Sequence, residues 1–174
     1  MTEFSLIDGR AYHCGQIVRR MRVKQQEAMM RVGVNLHAEV RNRFHSSCYT
    51  KAWLIDGELA ALGGAIGSLV SSACFIWMVA SEKATRYPIA LARMSQGQIA
   101  HLSRTYSVLS TVLIGADAPS KSFAAFLGFS PDGHGASSRY GRRSVLDIID
   151  NTPEIRIPFG ESFAVPVSYS ERAN

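Results

Sequence analysis

The side chains of this sequence with chemistry to offer stand at the ends of apolar runs. Glu82 and Lys83 follow the stretch ACFIWMVA, Ala73–Ala80, with Arg86 close behind. Asp117 and Ser120 follow Val108–Ile114, a run rich in Val, Leu and Ile. A carboxylate can take a proton, a hydroxyl can give one, and Lys and Arg can meet a phosphate. Structural roles compete for the same residues. A glutamate in a first helical turn is favoured by the macrodipole, and Asp and Ser are good helix N-caps. Cys74 lies inside the first run, where a cysteine is more often a small core residue than a nucleophile.

The 174 residues suit one domain, and 47% hydrophobic content supports a real core. No apolar run approaches the roughly 18 uncharged residues of a membrane span. The start, MTEFSLIDGR, lacks the basic and apolar regions of a secretory signal. Cys14, Cys48 and Cys74 are odd in number and widely spaced, which fits neither a disulfide framework nor a zinc motif. Free thiols in a reducing cytoplasm are the expectation. The five histidines are scattered, so no metal site is expected.

The net charge is +5 and the pI about 9.4. Arg19, Arg20, Arg22, Lys24 and Arg31 cluster early, and Arg139, Arg142 and Arg143 late. Such faces attract nucleic acid, a phosphate-bearing ligand or an acidic protein, or are simply solvated helix faces. No nucleic-acid motif accompanies them, so nucleic acid through Arg19, Arg20, Arg22 and Lys24 is the weakest of the partner readings.

The elements that must position these residues follow from periodicity. Residues 4–7 predict a strand, 13–31 an amphipathic helix, and Asn35 the cap of a second helix through Phe44. Residues 46–49 read as a loop. Asp56-Gly57 between apolar residues 52–55 and 59–66 predicts a β-hairpin. Gly63, Gly64 and Gly67 in its second strand suggest a bulge or a close backbone approach. Ala73–Ala80 is a buried strand. Residues 87–102 form the best long helix, with Ile89, Ala92, Ile99 and Leu102 near one face. Gly97 inside it costs ~1 kcal/mol relative to Ala. Val108–Ile114 suits a central strand buried on both faces. A short helix follows, capped by Asp117 or Ser120, with Phe123, Phe126 and Leu127 toward the core. Gly128 is its left-handed C-cap and Phe129 the contact beyond. Residues 144–149 suggest a closing strand. Residues 151–174, with Pro158 and Pro166, predict an extended arm after a domain spanning 1–150.

The stretch from Asp117 through Ser120 and Phe123 to Leu127-Gly128-Phe129 resembles the last strand–helix unit of the GNAT superfamily, the acyl-CoA-dependent N-acyltransferases. The predicted order β-α-α-β-β-β-α-β-α-β matches that family over about residues 4–150. The resemblance implies an α/β (α+β) fold with a mixed central sheet, helices on both faces, and a splay between the fourth and fifth strands where acyl-CoA enters. It implies Glu82 as base, Asp117 and Ser120 as further catalytic candidates, and Val79, Lys83 and Arg86 as cofactor-binding residues. Two departures matter. The glycine-rich phosphate cradle is replaced by SEKATRYPIALA, in which Tyr87 is bulky and Pro88 has no N–H. Ala124 stands where many active members carry a tyrosine acid.

A narrower resemblance is to the acetyltransferase-like proteins of tailed phages, carried by Asp56-Gly57, Trp77 and Leu127-Gly128-Phe129, and approximately by Met21-Arg22, Gln25 and Glu27. It implies a phage-type structural, assembly or virion-associated protein with a degenerate acyl-CoA site, no cofactor, and protein partners bound through the C-terminal arm. The alternative is a divergent, active N-acetyltransferase using acetyl-CoA. Tyr106 and Tyr140 are further side chains able to approach the splay, and Trp53 and Trp77 are core or cleft-lining aromatics.

Overall fold

A computed structural model of the chain describes residues 1–31, 33–68, 70–114, 118–130 and 142–148. The first strand, β1 (Phe4–Asp8), is followed by three helices, α1 (Ala11–Arg20), α2 (Val23–Arg31) and α3 (Leu36–Ser46). A meander follows: β2 (Tyr49–Ile55), β3 (Glu58–Gly67) and β4 (Ala73–Ala80). Then come the short α4 (Glu82–Thr85), the long α5 (Pro88–Leu102), β5 (Val108–Ile114), α6 (Ala118–Phe126) and β6 (Arg142–Ile148).

The six strands lie side by side in chain order. β1 to β4 are antiparallel, while β4–β5 and β5–β6 are parallel, as crossovers through α5 and α6 require. The sheet is therefore mixed, as expected. Asp56 and Gly57 take positive φ (51° and 74°), which the two-residue hairpin turn demands. Asn35 caps α3 by accepting the Ala38 N–H at 3.1 Å. Gly128 (φ 83°) ends α6, and Phe129 behind it is buried.

Helices cover both faces of the sheet. On one, Ile17 and Val18 of α1 and Val40 of α3 pack on Leu62, Phe75, Trp77 and Val79. On the other, Ile99 and Leu102 of α5 and Leu127 pack on Ala65, Cys74 and Leu109. Ile17, Val40 and Leu62 are fully buried, each contributing about 1.5–3 kcal/mol by leaving water.

Several expectations need correction. The helix predicted over 13–31 is two helices. Met21 is extended and bridges Ser81, and the Arg22 N–H donates to the Ala80 carbonyl at 3.1 Å. Pairing with the end of β4 thus overrides the local periodicity. The loop expected over 46–49 is shorter, because α3 runs through Ser46 and β2 begins at Tyr49, whose partner is Ala65. An extra helix, α4, precedes α5, and Tyr87 is the N-cap of α5 outside its first turn. Ile89 (67% exposed) and Phe126 (52% exposed) do not face the core. Ala92 of α5 and Leu127, just beyond α6, are buried instead. The predicted cap Asp117, Tyr140, the end of the closing strand and the C-terminal arm lie outside the described residues.

Candidate functional site

The parallel ladder between β4 and β5 is short. It pairs Ala73 with Val108 and ends at Ile76 and Thr111. Beyond that point both strands continue, β4 to Ala80 and β5 to Ile114, without pairing to each other. The split lies between the two strands where the GNAT resemblance implied it. It opens a cavity of about 490 Å³ that passes through the sheet, within the roughly 300–1,000 Å³ range of small-molecule sites. Gly63 and Gly64 of β3 line its floor, and neither tolerates a side chain. A Cβ on Gly63 would meet the Trp77 carbonyl at 2.9 Å, and one on Gly64 the Tyr49 carbonyl at 2.7 Å.

Past the split, one edge of β4 loses its strand partner, and its backbone groups need others. They find them in the segment that joins α1 to α2 and in the first turn of α2. Arg22 N–H meets the Ala80 carbonyl. The Gln25 carboxamide reaches two groups at once: its Nε2 donates to the Met78 carbonyl at 3.4 Å and its Oε1 accepts the Ala80 N–H at 3.3 Å. Both bonds lie beyond the usual 2.7–3.2 Å range and are correspondingly weak.

The cavity walls are mainly apolar, with a few placed polar groups. Tyr49 of β2 donates its hydroxyl hydrogen bond to Gln98 Oε1 of α5. Burial raises the Tyr49 pKa, so the phenol keeps its proton at neutral pH. Arg22 and Arg43 also line the cavity. Arg43 is already paired with Glu39 and lies over the Phe75 ring. Trp53 Nε1 and Ser95 Oγ are buried, line the cavity and have no hydrogen-bond partner among the described residues. Such atoms are costly to leave unmade, on the order of 1–3 kcal/mol each, unless something else satisfies them.

Among the described residues, no Asp, Glu, His or Cys lines the cavity. Glu82 lies on the exposed side of α4 and accepts the Val23 N–H at 2.8 Å, capping α2. Ser120, at the start of α6, and Val79, on β4, both line the cavity. Lys83 pairs with Glu58 at 3.3 Å and is not among the lining residues. Arg86 is exposed and likewise does not line it. Trp53 and Trp77 are both buried and both line it. Cys74 is fully buried in β4, and burial pushes its thiol up to about 12. Tyr106 is buried and bonded to Cys48 Sγ at 3.5 Å, away from the cavity lining, and that bond, with burial second, raises its pKa to about 12. The split thus brings Val79 and Ser120 together and leaves Glu82, Lys83 and Arg86 outside. Sequence reasoning missed Tyr49, Ser95 and Gln25. Strand alternation from Trp53 back through Lys51 would have placed Tyr49 on the Trp53 face.

The residues present fit an acyl-pantetheine thioester in part. The open cleft and the two orphaned polar atoms suit an extended ligand with carbonyl and amide groups. The phosphate end is poorer. At the start of α5, Tyr87 stacks edge-on against Phe4 at 5.5 Å and Pro88 occupies the first helical position, so no glycine-rich turn is present.

No family model matches the chain, and no curated protein does. Solved structures do resemble it. A protein of unknown function from meticillin-resistant Staphylococcus aureus, described as a probable acetyltransferase, has a TM-score of 0.51 at 12% identity, over 77% of this chain and 93% of that one. A possible acetyltransferase from Clostridium difficile 630 has a TM-score of 0.47 at 11% identity, over 71% of this chain and 88% of that one. The first likeness and the split mixed sheet together make the fold of this chain GNAT-like, a mixed α+β architecture with helices on both faces.

Proposed function

We propose that the protein binds an acyl-pantetheine thioester, the class that includes acetyl-CoA, in the cleft between β4 and β5, and that it transfers the acyl group to amines slowly if at all. The observation that carries this reading is the cleft itself. It opens where the ladder stops, and it holds two buried polar atoms, Trp53 Nε1 and Ser95 Oγ, with no partner among the described residues.

A thioester would bring an acyl group activated for attack. The residues at the cleft would then bind and orient more than they catalyse. Tyr49 Oη carries a proton at neutral pH, held in its bond to Gln98, and would have to leave that partner to protonate a departing thiolate. No described carboxylate or imidazole is placed to take a proton from an incoming amine. The amine must therefore arrive neutral, and any turnover should rise with pH up to the amine's own pKa.

A second reading gives the fold a structural or assembly role of the phage type, with protein partners held through residues 151–174. It is favoured by Glu82, the sequence's candidate base, being engaged as a cap on α2. Calorimetric titration with acetyl-CoA, followed by single-turnover assay with a small primary amine, separates the two. Saturable binding supports the cleft as a ligand site, and heat without saturation at millimolar ligand leaves the assembly role.

A further inference from the structure

The open edge of β4 beyond the split is a place where an extended chain can pair, through the Met78 carbonyl and the Ala80 N–H. In this structure one carboxamide, that of Gln25, touches both. A carboxamide offers one donor and one acceptor in a fixed plane, the same pair that a secondary amide of a ligand offers. Gln25 reaches them from α2, whose first turn is tied to the same strand end by the Met21–Ser81 bridge, by Arg22 N–H on the Ala80 carbonyl and by Glu82 on Val23 N–H. The helix is thus anchored independently of the Gln25 side chain, so the side chain can swing away while α2 stays in place. The bonds of 3.3 and 3.4 Å are long, and Gln25 is only half-buried and itself lines the cavity.

We propose that Gln25 is an internal stand-in for a ligand amide: it satisfies the free edge of β4 when the cleft is empty, and the amide-bearing arm of the thioester must displace it. This rests on the cleft being the thioester site. Gln25 then sets affinity and specificity together. A ligand with an amide at this depth replaces both bonds, while one without an amide either leaves Gln25 in place or strands two backbone groups.

The test compares wild type with Gln25→Leu, close in size, and Gln25→Ala, in the full chain. Without ligand, both variants should melt about 2–4 °C lower, the shift expected from about 1 kcal/mol of lost bonding in a chain of this size. Coenzyme A, which carries the amides, should bind both variants about three- to tenfold more tightly, because no internal competitor remains. Adenosine 3′,5′-bisphosphate, which has no amide, should bind wild type and variants alike. Weaker coenzyme A binding in the variants would make Gln25 a ligand contact and overturn the proposal. Unchanged melting of the free variants would show that the bonds to β4 do not form, and would overturn it whether or not coenzyme A binds. If the free variants melt lower and coenzyme A binds none of the three proteins, the edge contact stands but the thioester reading of the cleft falls, and the proposed competition with it.

Discussion

Ser95 and Trp53 present the cleft with polar atoms that no other described residue pairs. Ser95 sits in the interior of α5, where alanine is also the better helix former. Ser95→Ala should therefore raise the stability of the free protein by about 1 kcal/mol while weakening ligand binding. Thermal melting with and without acetyl-CoA reads both effects, and a loss of stability without ligand would mean that the hydroxyl is already satisfied. The cysteines give a cleaner check on burial. Cys48 is exposed, whereas Cys14 and Cys74 are buried, with burial raising both thiols. Iodoacetamide near neutral pH should label Cys48 in the native protein and reach the other two only after unfolding, as mass spectrometry of the digest would show. His13 is buried, and its neutral ring accepts the Arg10 N–H at Nδ1 (2.9 Å), bracing the start of α1. Burial, with Arg10 adding to it, lowers its pKa below 6.5. A base with a depressed folded pKa contributes stability that is complete above its unfolded value and is lost as pH falls below that value. Melting temperature should therefore drop between about pH 7 and about pH 5, and the imidazole should titrate below 6.5 by NMR.

At the scale of elements, legibility followed the range of the interactions. The strand β5, the exit at Gly128 and the β2–β3 hairpin were readable because each is marked locally, by an apolar run, a left-handed glycine or Asp-Gly. The break between α1 and α2 was not, because the strand end that extends Met21 is far away in sequence, at Ser81. Tyr49 was hidden for a related reason: it reads as the end of a loop over 46–49 until Ala65 pairs with it. Gln25 is the extreme case, since its partners lie 53 and 55 residues away. Two glycines predict opposite responses to the same change. Gly97→Ala, at an exposed position of α5, meets nothing within 4 Å and should stabilise by ~1 kcal/mol. Gly64→Ala drives a Cβ to 2.7 Å from a backbone carbonyl beneath the cleft, and should cost about 1–3 kcal/mol. Denaturant titration of the two variants would check both signs.

For the molecule as a whole, the family resemblance foretold where the sheet divides but not what lines the division. The buried runs of β4 and β5 carry the architecture, and their apolar patterns say which strands are central. The cavity's polar inventory depends instead on which side chains from β2, α2, α5 and α6 converge across the sheet, and no local signal reports convergence. Glu82 shows the same limit from the other side. It stands at the end of β4 as expected, yet its carboxylate turns to the start of α2. The proposed account is a GNAT-like scaffold whose cleft would take a thioester, with Glu82 engaged at the start of α2. The measurement that tests it most directly is thermal melting of wild type and Ser120→Trp with and without millimolar acetyl-CoA. Ser120 lines the cleft at the start of α6, and a tryptophan there would fill it. The account predicts an upward shift in the wild type by mass action and little or none in the variant. No shift in the wild type, or an equal shift in both, would contradict it.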